Sequence, residues 1–262
     1  MKFTVVTLFP QMIEAFTQQG LIGQAHTRGQ IEIQTLNPRQ FTSDVHHTVD
    51  DKAFGGGDGM VMKVEPLVAA IESLKQAGPL RVAVLSPQGR RWDQPMAQEW
   101  AEQGGHVALV CGRYAGIDQR FVNAFADDEI SIGDFILNGG EVAACAVIES
   151  VSRLRPGVLG NDVSSVKDSF TEGLLECPQF TRPREILGQP VPGPLLSGHH
   201  AQIARFQQAV AVVRTAWLRP DLLQNKSGLS KALSEVESLP DSELASLGLS
   251  REDLRQLRER NP

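Results

Sequence analysis

No run of apolar residues in this chain approaches the ~20 needed to cross a bilayer. The opening MKFTVVTLFP leads into Gln11, Met12 and Glu14 rather than into a small-residue cleavage site. The expectation is a cytoplasmic protein, neither secreted nor membrane-bound. Cysteine is scarce: Cys111, Cys145 and Cys177 lie far apart and form no C-x-x-C pair. That argues against a disulfide framework and a zinc site, and leaves each as a small buried hydrophobe in a reducing compartment. The phosphate cradle G-x-x-x-x-G-K-[ST] is absent, no G-x-G-x-x-G follows the first strand-like segment, and there is no H-E-x-x-H. A Walker-type site is thereby excluded and an ordinary dinucleotide or Rossmann-type site is unsupported. His46-His47, in a polar stretch before Thr48-Val49-Asp50-Asp51, read better as solvent-facing than as metal ligands. Internal repeats and low-complexity tracts are also missing.

What is present is 262 residues, 41% of them hydrophobic, enough for one large or two modest domains with real cores. The first part alternates strand-like and helix-like segments. FTVVTLF (3 to 9) is a β-branched run stopped by Pro10, IEIQTL (31 to 36) has period two, and VAVLSP (82 to 87) and VALVCG (107 to 112) are continuous apolar runs. Runs of the last kind suit strands buried on both faces of a parallel sheet. Helical patterns cover Val64 to Ala77, Asp93 to Gln103, Ile117 to Phe125 and Glu141 to Leu154. An α/β fold follows. From Gly157 to Gly198, just after Pro156, five more prolines punctuate a Gly- and Ser-rich stretch that reads as a linker into a second domain. Beyond it, His200 to Leu218 reads as one amphipathic helix, with shorter helices starting near Ser230, Asp241 and Ser250, the last with Asp253 placed for a capping box.

Charge is uneven. The net value is -6, yet residues 182 to 231 hold seven basic side chains against two acidic. A polyanion partner would fit this block, although on charge alone a solvated basic helix face is the better reading. Three expected strands end in loops rich in Gly or Pro: SPQGRRWDQ (86 to 94), CGRYAGIDQR (111 to 120) and ISIGDFILNGGE (130 to 141). Open parallel sheets bind ligands at such strand ends, where glycines let the backbone approach an adenine or a ribose. Any one of these loops is better explained as a tight turn; three at equivalent positions favour a ligand site. GGGDGM (55 to 60) marks either a specialised flexible loop or a plain linker.

The segments LFPQM, TVDDKAFGGGDGMVMK, LSPQGR, VCGRYAGID, SIGDFILNGGE, SVSRLRPGVLG, DSFTEGLLECPQFTRP and LLSGHHAQI, in that order over about residues 8 to 203, closely resemble the bacterial tRNA (guanine-N1)-methyltransferases of the SPOUT class. The resemblance implies an α/β SPOUT fold, a parallel sheet with a deep trefoil knot, followed by a small C-terminal helical domain; knots are rare enough that no sequence pattern points to one. It implies domains at 1–160 (catalytic), 161–175 (flexible linker) and 176–262 (helical, tRNA-binding). It implies S-adenosyl-L-methionine as methyl donor, held by Leu85, Ser86, Pro87, Gly112, Tyr114, Ile132, Gly133, Asp134, Phe135, Ile136, Leu137, Gly139 and Gly140. A homodimer with a shared site is also implied, Asp168 of one chain serving the donor pocket of the other, with tRNA phosphates met by Arg182, Arg184, Arg205 and Arg214 and with His200 near the RNA.

The chemistry makes these roles sensible. Guanine N1 carries a proton and cannot attack a sulfonium methyl until that proton leaves, so a base is required. By the resemblance Asp168 is that base, and because a carboxylate is a weak one, burial or a neighbouring group must assist it. Negative charge then gathers on O6, where the resemblance places the Arg153 guanidinium. From the residues alone, Asp168 reads as a solvated linker carboxylate and Arg153 as a helix C-terminal cation. Two departures stand out. Ala115 replaces the Glu of the usual C-G-R-Y-E-G, a methyl group for an anion, which puts Mg2+ assistance in doubt and signals reduced activity. Phe206 stands where a Trp is usual, keeping an aromatic contact. The implied reaction is methylation of N1 of the guanine 3′ of the anticodon. The alternatives are an RNA-binding protein that keeps the donor pocket but has lost turnover, and a methyltransferase acting at another RNA site.

Overall fold

The computed structural model describes residues 1–56, 59–159, 168–223 and 228–260. Gly57 and Asp58 of the glycine run, residues 160–167 at the expected linker, and Lys226 of the basic block lie outside the described residues. The chain divides into two compact units, Met1–Asp162 and Val163–Pro262.

The first unit is built on five parallel strands, β1 (Lys2–Val6), β2 (Glu32–Leu36), β5 (Arg81–Arg91), β6 (His106–Cys111) and β7 (Asp128–Ser131), in the order β2-β1-β6-β5-β7. Helices cover both faces, as near-continuous apolar strands require. On one face α1 (Pro10–Thr17), α2 (Gly20–Thr27), α4 (Gln94–Gln103) and α6 (Glu141–Ser152) pack over Phe3, Val5, Leu85, Leu109, Cys111 and Ile130. On the other, α3 (Val64–Lys75) and α5 (Gln119–Phe125) cover Val6, Val82, Val84, Ala108 and Val110. The alternation along β5 and β6 is the period-two geometry of a strand serving two cores.

Several boundaries differ from the sequence reading for local reasons. The first strand ends at Val6 because the Thr7 hydroxyl accepts from Phe9 N at 2.9 Å, and Pro10 opens α1 rather than merely stopping the strand. The strand expected to stop at Pro87 resumes to Arg91 after a register break between Leu85 and Arg90, where a Cβ on Gly89 would lie 2.3 Å from the Glu129 backbone. Helix α5 starts at Gln119, two residues late, because Asp118 is its cap and accepts from Arg120 N. The glycine run is flanked by an antiparallel pair, β3 (Asp50–Lys52) and β4 (Met60–Met62), which the sequence reading did not separate.

The second unit holds a two-stranded hairpin, β8 (Glu185–Ile186) with β9 (Gln189–Pro190), and α7 (His200–Leu218), α8 (Leu229–Glu237), α9 (Asp241–Ser246) and α10 (Arg251–Arg260). Its core joins Phe206, Val210 and Val213 of α7 to Leu233, Val236, Leu244, Leu254 and Leu257, so Phe206 serves packing. The capping box forms as expected: Ser250 N donates to Asp253 and Asp253 N to the Ser250 hydroxyl. Residues 168–175, read as flexible linker, make a turn whose Leu175 N donates to the Thr215 hydroxyl at 2.8 Å.

On the sheet, His106 meets the Thr4 hydroxyl at 2.8 Å, and Gln34 donates to the same oxygen at 2.7 Å. Burial, with a smaller push from the Lys2 ammonium, lowers the His106 imidazole below its ordinary value of 6.5. A lowered histidine favours the fold while neutral, above its unfolded pKa, and loses that contribution as pH falls through the folded pKa. Urea midpoints measured at pH 7 and pH 5 should therefore drop more in the wild type than in His106→Gln; equal drops would show that this imidazole does not couple to folding.

Candidate active site

Three strand ends converge. After Leu85 the chain turns through Ser86, whose hydroxyl accepts from Gln88 N at 3.1 Å. After Cys111 comes a turn closed by Gly116 N on Arg113 O at 3.0 Å, with Tyr114 in the left-handed region at φ 61°. After β7 the Ser131 hydroxyl accepts from Gly133 N, and the loop runs to α6. Together they line a cavity of ≈ 300 Å³ at the register break of β5 and the carboxyl ends of β6 and β7. This is where an open parallel sheet takes a ligand.

A buried ion pair holds the loops. Glu141, the first residue of α6, is 1% exposed. It accepts from the Thr7 hydroxyl at 2.7 Å and from Arg113 Nε at 3.1 Å, and its other oxygen meets Arg113 Nη2 at 2.7 Å. Arg113 also donates to Asn138 O at 3.3 Å, and its guanidinium lies 4.2 Å from the centre of the Phe9 ring. The end of β1, the loop after β6 and the loop after β7 are thus tied to one carboxylate, itself placed at a helix N-terminus where the backbone dipole favours an anion. Neither Arg113 nor Glu141 was singled out from sequence, and a pair 28 residues apart leaves no periodic trace. Burial and the nearby Glu141 charge push the Cys111 thiol well above its ordinary range, so it is a packing group and not a nucleophile.

Close backbone contact does the rest. Gly140 N donates to Gly112 O at 3.1 Å, and a Cβ on Gly140 would stand 2.8 Å from Cys111 Cα. One on Gly139 would overlap the Arg113 side chain, 2.2 Å from Nε. Only glycine lets these loops touch while keeping main-chain N–H and C=O groups at the cavity wall.

Of the expected donor residues, Leu85, Ser86, Pro87, Gly112, Tyr114, Ile132, Gly133, Phe135, Ile136, Leu137, Gly139 and Gly140 line this cavity, whereas Asp134 does not. Gln88, Ala115, Gln119 and Glu129 line it too and went unnoticed as contributors from sequence, apart from Ala115 as a departure. Ala115 N donates to Met60 O at 2.8 Å, so β4 is registered on the cavity rim, and the Ala115 Cβ lies 3.1 Å from where Gly59 would carry one. A mixed polar and apolar wall rich in main-chain groups fits a nucleoside-bearing ligand.

Arg153 is not among the cavity residues. It caps the C-terminal end of α6, and the 12-residue helix between puts it about 20 Å along the axis from Gly140. Asp168 belongs to the second unit, half-buried, at the start of a turn in which Thr171 N donates to Asp168 O at 3.3 Å. Arg182, Arg184 and His200 of that unit are exposed. Arg205 is paired with Glu235 at 3.0 Å, and half-buried Arg214 donates to Leu247 O, joining α7 to the end of α9.

The family model described as "tRNA (Guanine-1)-methyltransferase TrmD" matches residues 1–225. Among similar proteins, the tRNA (guanine-N(1)-)-methyltransferase of Marinomonas sp. (strain MWYL1) is 50% identical over 86% of this chain and 90% of its own. That of Geobacter sulfurreducens is 50% identical over 88% and 94%, and that of Hahella chejuensis 45% identical over 93% and 95%.

The glycine contacts carry a test. Gly140→Ala should weaken binding of S-adenosylhomocysteine by tenfold or more in calorimetry, since overpacking costs ~1–3 kcal/mol and ~1.4 kcal/mol is tenfold. Far-UV circular dichroism should stay unchanged; unaltered affinity would remove the loop contact from the site.

Proposed function

Because the chain belongs to the tRNA (guanine-N1)-methyltransferase family, matched over residues 1–225, we propose that it methylates N1 of the guanine 3′ of the anticodon, using S-adenosyl-L-methionine held in the cavity above β5, β6 and β7. The observation that carries the donor assignment is the convergence of twelve motif residues on one cavity where Gly139 and Gly140 leave no room for a Cβ. The loops after these strands form the region that the family's trefoil knot would occupy, and the proposed setting is the cytoplasm. No described helix is long and apolar enough to cross a membrane.

The donor supplies an electrophilic methyl on a sulfonium. The chain's own residues must then prepare the acceptor. Asp168 takes the N1 proton, the freed lone pair forms the N–CH3 bond as the S–CH3 bond breaks, and S-adenosylhomocysteine leaves. Arg153 faces O6, where charge accumulates, and remains charged throughout. In-line placement of the two substrates supplies much of the remaining acceleration.

A homodimer with a shared site follows from the same reading and is supported by distance within one unit. Arg153 sits at the far end of α6 from the cavity that its own chain lines, so in this reading the cation at that donor would come from a second copy, with Asp168 assigned to the partner by the family resemblance. Exposed Arg182, Arg184 and His200, with Arg205 and Arg214 of α7, would meet the tRNA, chiefly through phosphates.

Ala115 favours a second reading, a protein that binds RNA with diminished turnover. A carboxylate at this rim position would be available to hold Mg2+ or to assist proton transfer; a methyl group does neither.

Two outcomes are expected. Asp168→Asn should lower transfer of labelled methyl to unmodified tRNA by about 100-fold or more, the scale of general-base catalysis, and Arg153→Ala should do likewise, with S-adenosylhomocysteine affinity intact in both. Undiminished turnover in folded Asp168→Asn protein would overturn the base assignment. Ala115→Glu should raise the rate; no change would show that the alanine is tolerated.

A further inference from the structure

Of the described residues outside glycine, four adopt the left-handed region: His47, Tyr114, Phe170 and Leu187. Tyr114 lines the donor cavity and Phe170 lies two residues from Asp168. Of the two in neither place, His47 is polar and meets the Thr42 hydroxyl at 3.0 Å, whereas Leu187 is apolar. It forms the tip of the β8–β9 hairpin at φ 57°, followed by Gly188 at φ 71°, the two-residue turn with both central φ positive that suits Asn-Gly. The side chain is 93% exposed, and neighbouring Ile186 is 61% exposed. A leucine here carries backbone strain that asparagine or glycine would avoid, and presents apolar surface to water with no local return.

The hairpin is held firmly at its base. Val191 N donates to Arg184 O at 2.8 Å, and Gly193 N donates to Glu243 of α9 at 3.1 Å. Arg182 and Arg184 are exposed at that base, Arg184 about 10 Å of extended chain from the tip. With Glu185 they leave residues 182–191 at net +1, inside the basic block. An anchored ribbon with cations at its base and a bare apolar tip matches the way proteins place Leu or Ile against nucleobases while basic side chains take the phosphates.

We propose that Leu187 is an RNA-contacting wedge, packing against the face of an exposed tRNA base while Arg182 and Arg184 bind the flanking phosphates. This rests on the reading of the second unit as the tRNA-binding part, and it assigns the contact to an apolar tip in addition to the basic side chains.

The substitution that tests it also relieves the turn. Leu187→Asn suits the left-handed position, so the hairpin should persist, with an unchanged or raised melting temperature, while the apolar surface disappears. Binding of unmodified tRNA to the full-length protein, followed by fluorescence anisotropy across a salt series, should weaken by roughly five- to tenfold, the effect of losing one partly buried apolar side chain. The slope of log K against log salt should not change, because no charge is lost. KM for tRNA should rise with kcat unaltered, and Leu187→Met should restore binding to within about twofold. Arg184→Gln should instead weaken binding and reduce the salt slope by about one. Affinity of Leu187→Asn within about twofold of wild type would overturn the proposal. So would a loss of affinity accompanied by a change of oligomeric state in sedimentation, which would place the tip against protein. Wild-type methyl transfer, assayed in parallel, separates the two readings: its absence would count against the proposed function, whereas failure of the wedge would leave it intact.

Discussion

A single buried carboxylate organises the first unit. Glu141 joins Thr7 at the end of β1 to Arg113 in the loop after β6, and Arg113 reaches on to Asn138 in the loop that leads to α6. Each of these segments alone is a polar or glycine-rich loop with several accessible conformations. Pinned to one anion at a helix N-terminus, they become the walls of a cavity. Removing one partner from such a buried pair strands the other charge at a cost of several kcal/mol, which makes the pair a requirement of the site and a poor source of net stability. The glycines at 139 and 140 complete the arrangement by allowing backbone to approach side chain and backbone at distances a Cβ would forbid.

Proteins that catalyse group transfer must bring donor and acceptor chemistry together, and here the two are carried by different parts of the chain. The cavity lies at the N-terminal end of α6, the arginine assigned to O6 caps the other end, and the carboxylate assigned to N1 belongs to the second unit. A helix of this length is too long for an arginine to reach back along it. In the proposed dimer, association of two chains would answer the separation and make activity depend on assembly. Positions 115 and 187 are two places where this chain departs from what chemistry or backbone geometry would favour. One lacks a charge at the rim and the other displays an apolar side chain in a strained turn; such local inconsistencies concentrate where function, more than folding, selects the residue.

How much was legible beforehand can be read from individual elements. Helices α4, α6 and α7 and strands β2 and β6 were recognisable because apolar period, capping residues and Pro or Gly boundaries are encoded within a few residues of one another. Most residues that line the cavity were recognisable because glycine-rich loops carry a distinctive local pattern that a family resemblance can match. Helices α1 and α2 escaped attention because Pro10 reads as a terminator as readily as a first helical residue. The β3–β4 pair escaped because three-residue strands leave almost no periodic signal. The turn at 168–175 read as a linker because its anchor, the Thr215 hydroxyl, is 40 residues away.

By itself the sequence determined the element types, the two-part division of charge and texture, and the chemistry of the loops, all of which arise from interactions between near neighbours. Only the tertiary structure decided that β6 lies between β1 and β5, that Arg113 and Glu141 meet beneath the cavity, that Asp134 stays out of it, and that Arg153 stands a helix length away. These depend on contacts between residues tens of positions apart. Their pairing is chosen by how whole strands and helices bury their faces, and no local pattern carries that choice.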